Sequence, residues 1–97
     1  SVKIIMGHMG GNCWSKGIEA ACDRSNIYLE PCSSYPESDK IGQAVQAIGA
    51  DRIVFGTDST LLNPAFVLGM LFDADLTEDD REKIAYRNAA NLFNLAV

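Results

Sequence analysis

Basic residues and long hydrophobic runs are scarce in this sequence, and their scarcity excludes two classes of partner. The 97 residues include eight Lys and Arg against thirteen Asp and Glu, which gives a net charge of −5. The basic residues are scattered along the chain, so we expect no nucleic-acid partner. No apolar run approaches the roughly 18 residues of a membrane-spanning helix, so we expect a soluble chain with no membrane partner.

Cysteine is also sparse, and its spacing excludes two kinds of framework. The three thiols are Cys13, Cys22 and Cys32, an odd number separated by nine and ten residues. This spacing fits neither a disulfide framework nor a CxxC zinc site. It indicates reduced thiols, and reduced thiols indicate a cytoplasmic location.

Two sequence signals are missing as well. No glycine-rich phosphate loop of accepted spacing is present, which argues against a domain that binds a small anion at its strand ends. The first residues, SVKIIMGHMGG, have no basic n-region and no cleavage site, so we expect no secretory signal. A start without Met is consistent with a chain that begins within a longer protein.

What is present is organised around residues 52–59, RIVFGTDS, a short apolar strand that ends in a carboxylate. Residues 53–55 favour a pleated backbone, and Gly56 allows a ligand or another part of the chain to approach closely. Ligands of α/β folds bind at the carboxyl ends of parallel strands, so Asp58 is a candidate functional group. The alternative is a loop aspartate that caps the next turn or helix.

Two other apolar runs predict strands at residues 2–6 and 26–32. In the second strand, alternation directs Ile27 and Leu29 towards a layer of helices. The same alternation directs Glu30 to the opposite face, where a carboxylate needs a polar or solvated environment.

Helical patterns follow each strand, at residues 15–24, 38–48, 64–72 and from 77 to near the C-terminus. The segment 65–72, AFVLGMLF, is apolar nearly all round, so we expect it to be deeply buried or to face a partner. In the last helix, Thr77 is the predicted N-cap. Its predicted apolar stripe consists of Ile84, Ala85, Ala89, Leu92 and Phe93.

The element order is therefore β-α-β-α-β-α-α, which predicts an α/β fold with a parallel sheet and right-handed crossovers. We expect residues 1–97 to form a single partial domain. Three parallel strands leave two open edges and one poorly covered face. The sequence therefore predicts a covering partner, either the rest of a larger barrel or copies of this chain.

Four segments together carry a family resemblance: KIIMGHMGG, NIYLEPCS, IGADRIVFGTDS and REKIAYRNAANLFNL. At these separations they resemble the C-terminal third of amidohydrolase-2 type metal-dependent hydrolases and decarboxylases, which are (β/α)8 TIM barrels. The resemblance covers nearly the whole chain. It implies that residues 1–97 correspond to barrel strands six, seven and eight with their helices and the terminal helix.

The resemblance also implies roles for two residues. His8, the only histidine, matches the sixth-strand histidine that acts as an acid/base or polarising group near the metal. Asp58 matches the eighth-strand aspartate, a metal ligand that can also accept a proton from metal-bound water. The alternative for His8 is a structural histidine in a glycine turn. The family's first-strand His-x-His and fifth-strand His are absent from this chain.

The loops after the first two strands carry the remaining candidates, because barrel enzymes select substrates there. The candidate substrate-binding residues are Asn12, Trp14, Glu30 and Tyr35. For Trp14 the alternative is packing at a helix start, and for Glu30 it is simple solvation. The thiols of Cys13 and Cys32 lie near the same rim and receive no role.

The sequence thus favours a fragment of a metal-dependent hydrolase or decarboxylase that acts on a small carbonyl or carboxylate substrate. The complete enzyme is expected to use a divalent metal, zinc or manganese. A catalytic zinc site takes about three protein ligands, so two candidate donors predict no tight metal binding and no activity in the isolated chain. The alternative function is a self-associating α/β interaction module without catalysis.

Overall fold

The computed structural model describes residues 2–34 and 37–96, which form a small α/β unit. The elements in chain order are strand β1 (Ile4–Met6), helix α1 (Trp14–Asp23), strand β2 (Ile27–Leu29) and helices α2 (Lys40–Ile48), α3 (Ala65–Asp73), α4 (Glu78–Glu82) and α5 (Asn88–Leu92). Short 3-10 segments occupy Gly7–Cys13 and Ala50–Arg52, and a π-helical turn occupies Lys83–Arg87. None of the helices in the described ranges is both long enough and apolar enough to cross a membrane.

The two-stranded sheet is parallel, and β2 lies between β1 and the segment at Ile53. β1 pairs with β2 in a register that places Ile4 beside Ile27 and Met6 beside Leu29. On the other side of β2, Leu29 forms a single parallel bridge to Ile53. The strand order therefore follows the chain order, so all three carboxyl ends lie at one edge.

The predicted third strand, residues 52–58, is wrong in its extent. Within the part of the chain that the structure describes, only Ile53 bridges to the sheet, and residues 50–52 form a 3-10 turn before it. Val54 donates its N–H to the Leu29 carbonyl at 2.9 Å. The next N–H, of Phe55, turns away from the sheet and donates to the carbonyl of Ile84 at 3.1 Å. The C-terminal helical region thus replaces a strand as the neighbour of this segment.

The core lies between the sheet and the helices. Leu29 is fully buried and Ile27 packs against the same cluster, as the alternation in β2 predicts. The buried apolar side chains of this cluster are Met9, Ile18, Ala21, Leu29, Ile41, Ala44, Ala50, Ile53, Met70, Leu71 and Ile84. In α3 only Val67, Met70 and Leu71 are buried, so among the described residues the AFVLGMLF segment is not deeply buried. The alternative, that its exposed side faces a partner, stays a prediction.

At the amino-terminal ends of the strands, Arg52 links the end of α1 to the start of β2 through hydrogen bonds. Its guanidinium nitrogen Nη1 donates to the carbonyl oxygens of Ala21, Arg24 and Ile27, at 3.1, 2.9 and 2.7 Å. These carbonyls lie at the end of α1 and the start of β2. Arg52 therefore has a structural role, at the opposite end of the strands from Asp58.

The C-terminal helical region differs from the predicted continuous helix. Thr77 is the N-cap as predicted, since its hydroxyl accepts the N–H of Asp80 at 3.1 Å. The π-helical turn Lys83–Arg87 then widens the helix and shifts its buried face. As a result Ala85 and Phe93 are exposed, and Asn88 and Ala90 are buried instead.

The buried side chain of Asn88 links the last helix to the segment at Ile53 through hydrogen bonds. Its Nδ2 donates to the carbonyls of Ala50 and Ile53 at 2.6 and 2.8 Å. We expect Asn88→Ala to lower the free energy of unfolding by about 2–4 kcal/mol, because two carbonyls each lose a side-chain donor beside a new cavity. Urea unfolding at matched protein concentration measures this loss. The exposed Asn91 of the same helix is the control, and Asn91→Ala should change stability by less than about 0.5 kcal/mol.

Candidate functional site

His8 lies just beyond β1, in the tight turns of Gly7–Cys13. Its backbone is left-handed, with φ 56° and ψ 16°. A residue other than glycine in this region costs about 1 kcal/mol or more, so surrounding contacts must hold it there. One such contact is the His8 N–H, which donates to Glu30 Oε1 at 3.1 Å. The neighbouring Met9 is also left-handed, and its buried side chain anchors the turn in the core.

Glu30 connects the ends of the first two strands. While Oε1 accepts the N–H of His8, Oε2 accepts the N–H of Cys32 at 2.5 Å. The side chain crosses Gly56, where an added Cβ would lie 2.6 Å from Glu30 Oε2 and 2.8 Å from its Cγ. Glycine is therefore required at position 56 by the Glu30 side chain. Substrate binding by Glu30 stays a prediction.

Asp58 lies beyond the third segment and faces His8. Its backbone is left-handed, with φ 57°. Its Oδ2 lies 3.8 Å from Nε2 of His8, and both side chains are partly exposed, at 38% and 44%. The structure thus brings His8, Glu30 and Asp58 together at the carboxyl edge of the sheet, and the two candidate catalytic side chains meet directly.

Cys32 is the group at this edge that the sequence left without a role. Its side chain is buried, with 2% of its surface exposed. The sulfur lies 3.5 Å from Nδ1 and 3.7 Å from Nε2 of His8. Burial, together with the carboxylates of Glu30 and Asp58, raises the pKa of the Cys32 thiol to about 11, although Lys40 opposes the shift. The sequence pattern around β2 did not predict the contact between Cys32 and His8. The contact depends on the path of the chain after Pro31, which periodicity does not determine.

A cleft of about 270 Å³ opens beside these groups. It is lined by His8, Gly11, Asn12, Cys32, Ser33, Ser34, Glu37 and Lys40. Of the candidate substrate-binding residues, Asn12 therefore lines the cleft. Trp14 is the first residue of α1 and packs against the core cluster, the alternative that the sequence left open. Tyr35 lies outside the described residues.

The wall of the cleft holds a polar pair between the chain after β2 and the start of α2. Lys40 is buried, and its Nζ lies 3.4 Å from Oε1 of Glu37. The same oxygen accepts the hydroxyl of Ser33 at 2.5 Å. Burial pushes the pKa of Glu37 upwards, but Ser33, Lys40 and Trp14 outweigh it and hold that pKa below its ordinary value. Glu37 is therefore a carboxylate at neutral pH.

A larger cleft of about 820 Å³ lies between the start of α2 and α3. It shares Glu37 and Lys40 with the smaller cleft, but the described residues that line it do not include His8, Cys32 or Asp58. We therefore assign the chemistry to the smaller cleft, which His8 and Cys32 line.

Imidazole, thiol and carboxylate groups at the carboxyl ends of parallel strands are typical of metal-assisted enzymes built on α/β folds. In this chain the ligand atoms of His8, Cys32 and Asp58 all lie within 4.8 Å of one another. Their nitrogen, sulfur and oxygen donors fit a divalent metal.

Comparison with known proteins identifies the family. The family model described as Amidohydrolase matches residues 1–95. The chain therefore belongs to the amidohydrolase family, as the sequence motifs predicted.

Three relatives illustrate the similarity. The gamma-resorcylate decarboxylase of Polaromonas sp. (strain JS666 / ATCC BAA-500) is 30% identical over 119 residues, which cover 98% of this chain and 35% of the relative. The crystal structure of a dihydroxybenzoic acid decarboxylase from Polaromonas sp. JS666, with bound manganese and the inhibitor 2-nitroresorcinol, has a TM-score of 0.71 and 30% identity over 95% of this chain and 33% of that one. An uncharacterised TIM-barrel protein of Bordetella bronchiseptica has a TM-score of 0.78 and 25% identity over 95% of this chain and 34% of that one.

The chain thus spans about a third of the length of these relatives. It is an α/β piece with a two-stranded parallel sheet, similar in fold to part of a TIM barrel.

Proposed function

We propose that this chain supplies the His8 and Asp58 side of the metal centre in a barrel decarboxylase that acts on a small hydroxylated aromatic acid. The observation that carries the proposal is the 3.8 Å approach of His8 Nε2 to Asp58 Oδ2 at the strand ends. The names of the Polaromonas relatives support the reaction and the substrate class. Hydrolysis of a small carbonyl substrate by metal-activated water is the alternative reaction within the same family.

Asp58 is the proposed metal ligand of this chain, because its carboxylate is partly exposed and its Oδ2 lies 3.8 Å from Nε2 of His8. Manganese is bound in one Polaromonas relative, and a carboxylate is a ligand type that manganese prefers. When bound, such a metal supplies a Lewis acid that polarises an oxygen of the substrate. The histidine ligands would come from the rest of the barrel, so the isolated chain is not expected to hold manganese tightly.

His8 is the proposed acid/base group. In decarboxylation the bond between the ring carbon and the carboxylate breaks and a proton bonds to that carbon, so the products are the ring with a new C–H bond and CO₂. An imidazole beside the metal ligand can hold that proton at Nε2 and deliver it, and Asp58 can orient the ring of His8. Glu30 holds the His8 backbone in its left-handed conformation through the N–H···Oε1 bond.

The cleft beside His8 is the proposed substrate entrance. Asn12 offers an amide to a phenolic or carboxylate oxygen, and Lys40 adds positive charge at the wall despite its bond to Glu37. Trp14, Glu30 and Tyr35 also remain proposed substrate-binding residues. The free thiols at Cys13, Cys22 and Cys32 support a reducing, cytoplasmic setting.

We further propose that residues 1–97 form a partial domain corresponding to barrel strands six to eight. The in-order parallel arrangement of β1, β2 and the segment at Ile53 supports this correspondence. The partner that completes the fold is then the rest of the barrel. Self-association of the chain is the second candidate, and the exposed side chains of Ile4, Ile5 and Phe72 favour it.

A chimera tests the proposed function. In this chimera, called the completed barrel below, the chain replaces the segment of the Polaromonas decarboxylase to which it aligns. With manganese, we expect release of carbon dioxide from at least one member of a panel of dihydroxybenzoic acids. A folded, manganese-loaded chimera that converts none of them would contradict the proposal, and turnover of amide or ester substrates instead would favour the hydrolytic alternative.

A further inference from the structure

The imidazole of His8 is partly exposed, so a neighbouring side chain must fix the orientation of its ring. Glu30 accepts the backbone N–H of His8 rather than a ring nitrogen. Asp58 Oδ2 lies 3.8 Å from Nε2, beyond the length of a normal hydrogen bond, and is itself partly exposed. The sulfur of the buried Cys32 lies 3.5 Å from Nδ1 and 3.7 Å from Nε2. The fixed surface against which the ring packs is therefore the sulfur of Cys32.

We propose that Cys32 is a positioning residue for His8, whose sulfur holds the Nδ1 side of the imidazole so that Nε2 stays directed towards Asp58. The inference rests on the proposed function, in which His8 exchanges a proton at Nε2 and Cys32 takes no part. Cys32 contacts neither substrate nor metal in this role and acts through His8 alone.

The alternative orientation of the ring shows what the sulfur selects. A rotation of 180° about the Cβ–Cγ bond of His8 exchanges Nδ1 with Cδ2 and Nε2 with Cε1. The rotated ring would bring carbon atoms to the positions where nitrogen now faces Cys32 Sγ and Asp58 Oδ2. A C–H group is a weaker hydrogen-bond donor than an N–H group, so both neighbours favour the observed orientation.

The thiol can hold the ring without trapping its proton. Burial and the carboxylates of Glu30 and Asp58 raise the pKa of the Cys32 thiol to about 11, and Lys40 opposes the rise. The thiol is therefore protonated at neutral pH, and it donates its S–H to Glu30. The sulfur is then left to accept an N–H at Nδ1, so Nε2 is the ring nitrogen that exchanges a proton. A thiol with a raised pKa is also a poor nucleophile, which argues against covalent catalysis by Cys32.

The backbones of Cys32 and His8 are held by the same carboxylate. Oε2 of Glu30 accepts the N–H of Cys32 at 2.5 Å, and Oε1 accepts the N–H of His8 at 3.1 Å. Pro31 restricts the backbone between Glu30 and Cys32. The sulfur and the imidazole are therefore placed relative to one another by a short, constrained connection. This placement matters for rate, because a catalytic group displaced by about 1 Å loses up to about 10²-fold.

Steady-state kinetics of the manganese-loaded completed barrel test the positioning role. Cys32→Ala should lower kcat about 10-fold and change KM and manganese content less than about twofold, because substrate and metal contacts remain. Cys32→Ser keeps an oxygen that can accept from Nδ1, so its kcat should be at least about a third of the unsubstituted value. Cys22→Ala removes an exposed thiol of α1 and should leave kcat unchanged. A serine variant as slow as the alanine variant would contradict the proposal.

A double-mutant cycle with His8 separates positioning from general structural support. In the His8→Gln background, Cys32→Ala should change kcat by less than about twofold, since no imidazole remains to be positioned. An equal loss of kcat in both backgrounds would indicate a structural role and overturn the proposal. Full kcat in Cys32→Ala alone, or a loss confined to KM, would overturn it as well.

NMR of the 97-residue chain keeps the proposal testable if a variant fails to fold or the completed barrel is inactive. His8 is the only histidine of the chain, so ring-labelled histidine reports on this imidazole alone. We expect a nuclear Overhauser effect between Hε1 of His8 and the β-protons of Cys32, because Cε1 lies between the two nitrogens that the sulfur contacts. Cys22→Ala should retain this effect. Its absence from the unsubstituted chain would overturn the proposal, whereas an inactive completed barrel would contradict the proposed function and leave this contact intact.

Discussion

Replacing Asp58 with asparagine in the completed barrel is expected to lower kcat/KM by at least about 10³-fold and to lower the manganese content well below one ion per chain. The substitution keeps the shape of the side chain but removes the negative charge that a hard divalent cation requires. Because Asp58 Oδ2 lies 3.8 Å from His8 Nε2, the substitution also removes a negative charge beside the imidazole. Steady-state decarboxylation kinetics and elemental analysis after dialysis measure the two losses.

Two further variants serve as comparisons for Asp58→Asn. Asp23→Asn makes the same chemical change at an exposed position at the end of α1, so it should leave both activity and manganese content unchanged. His8→Gln should lower kcat by about 10²–10⁴-fold and retain the manganese, because an acid/base group is lost without a proposed metal ligand. Full activity in Asp58→Asn would contradict the role proposed for this residue.

The isolated chain is expected to self-associate at micromolar concentration, with a light-scattering mass well above its 10.5 kDa. Ile4 and Ile5 of β1 are 47% and 40% exposed, and Phe72 of α3 is 64% exposed. Covering several hundred Å² of such surface is worth on the order of 10 kcal/mol at about 25 cal/mol per Å². Among the described residues β1 pairs with β2 alone, so its other edge offers backbone groups that a second strand can bind.

Charged substitutions distinguish self-association through this surface from non-specific aggregation. Ile4→Lys combined with Phe72→Glu should lower the mass towards that of the monomer. Leu61→Lys should not, although Leu61 is 81% exposed, because it lies in the loop outside the β1 edge and α3. A compact monomer of the unsubstituted chain that melts cooperatively would contradict the expectation.

The parts of the fold that follow from local patterns could be predicted from the sequence. The alternation in β2 correctly assigned Leu29 to the core and Glu30 to the opposite face. The helix ended by Gly49 was also predicted, since its N–H bonds to Val45 and its φ of 79° suits glycine. These features depend on the residues themselves and their near neighbours, and therefore they are visible in a short stretch of sequence.

The parts that depend on distant segments could not be predicted. The third strand is short because the N–H of Phe55 bonds to Ile84, about thirty residues later in the chain. The buried stripe of the last helix shifted because a π-helical turn precedes Asn88, whose side chain binds carbonyls near Ile53. Neither partner can be inferred from periodicity.

The candidate site, too, could be predicted from the sequence only in part. Placing His8 and Asp58 at one sheet edge followed from the family resemblance, which matches them to the ends of two strands of a parallel barrel. The contact of Cys32 with His8 did not, because it depends on the shared carboxylate of Glu30 and on the turn after β2. The sequence also did not predict which group approaches Gly56 closely. The structure shows that this group is the Glu30 side chain.

Anomalous diffraction at the manganese absorption edge, from crystals of the completed barrel, tests the central claim most directly. The claim is that the carboxyl edge formed by β1, β2 and the segment at Ile53 carries the Asp58 side of a metal centre, with His8 beside it. We predict one anomalous peak in bonding contact with a carboxylate oxygen of Asp58, and an imidazole of His8 that faces the same cavity. A manganese ion bound elsewhere, with Asp58 pointing into solvent, would contradict the account.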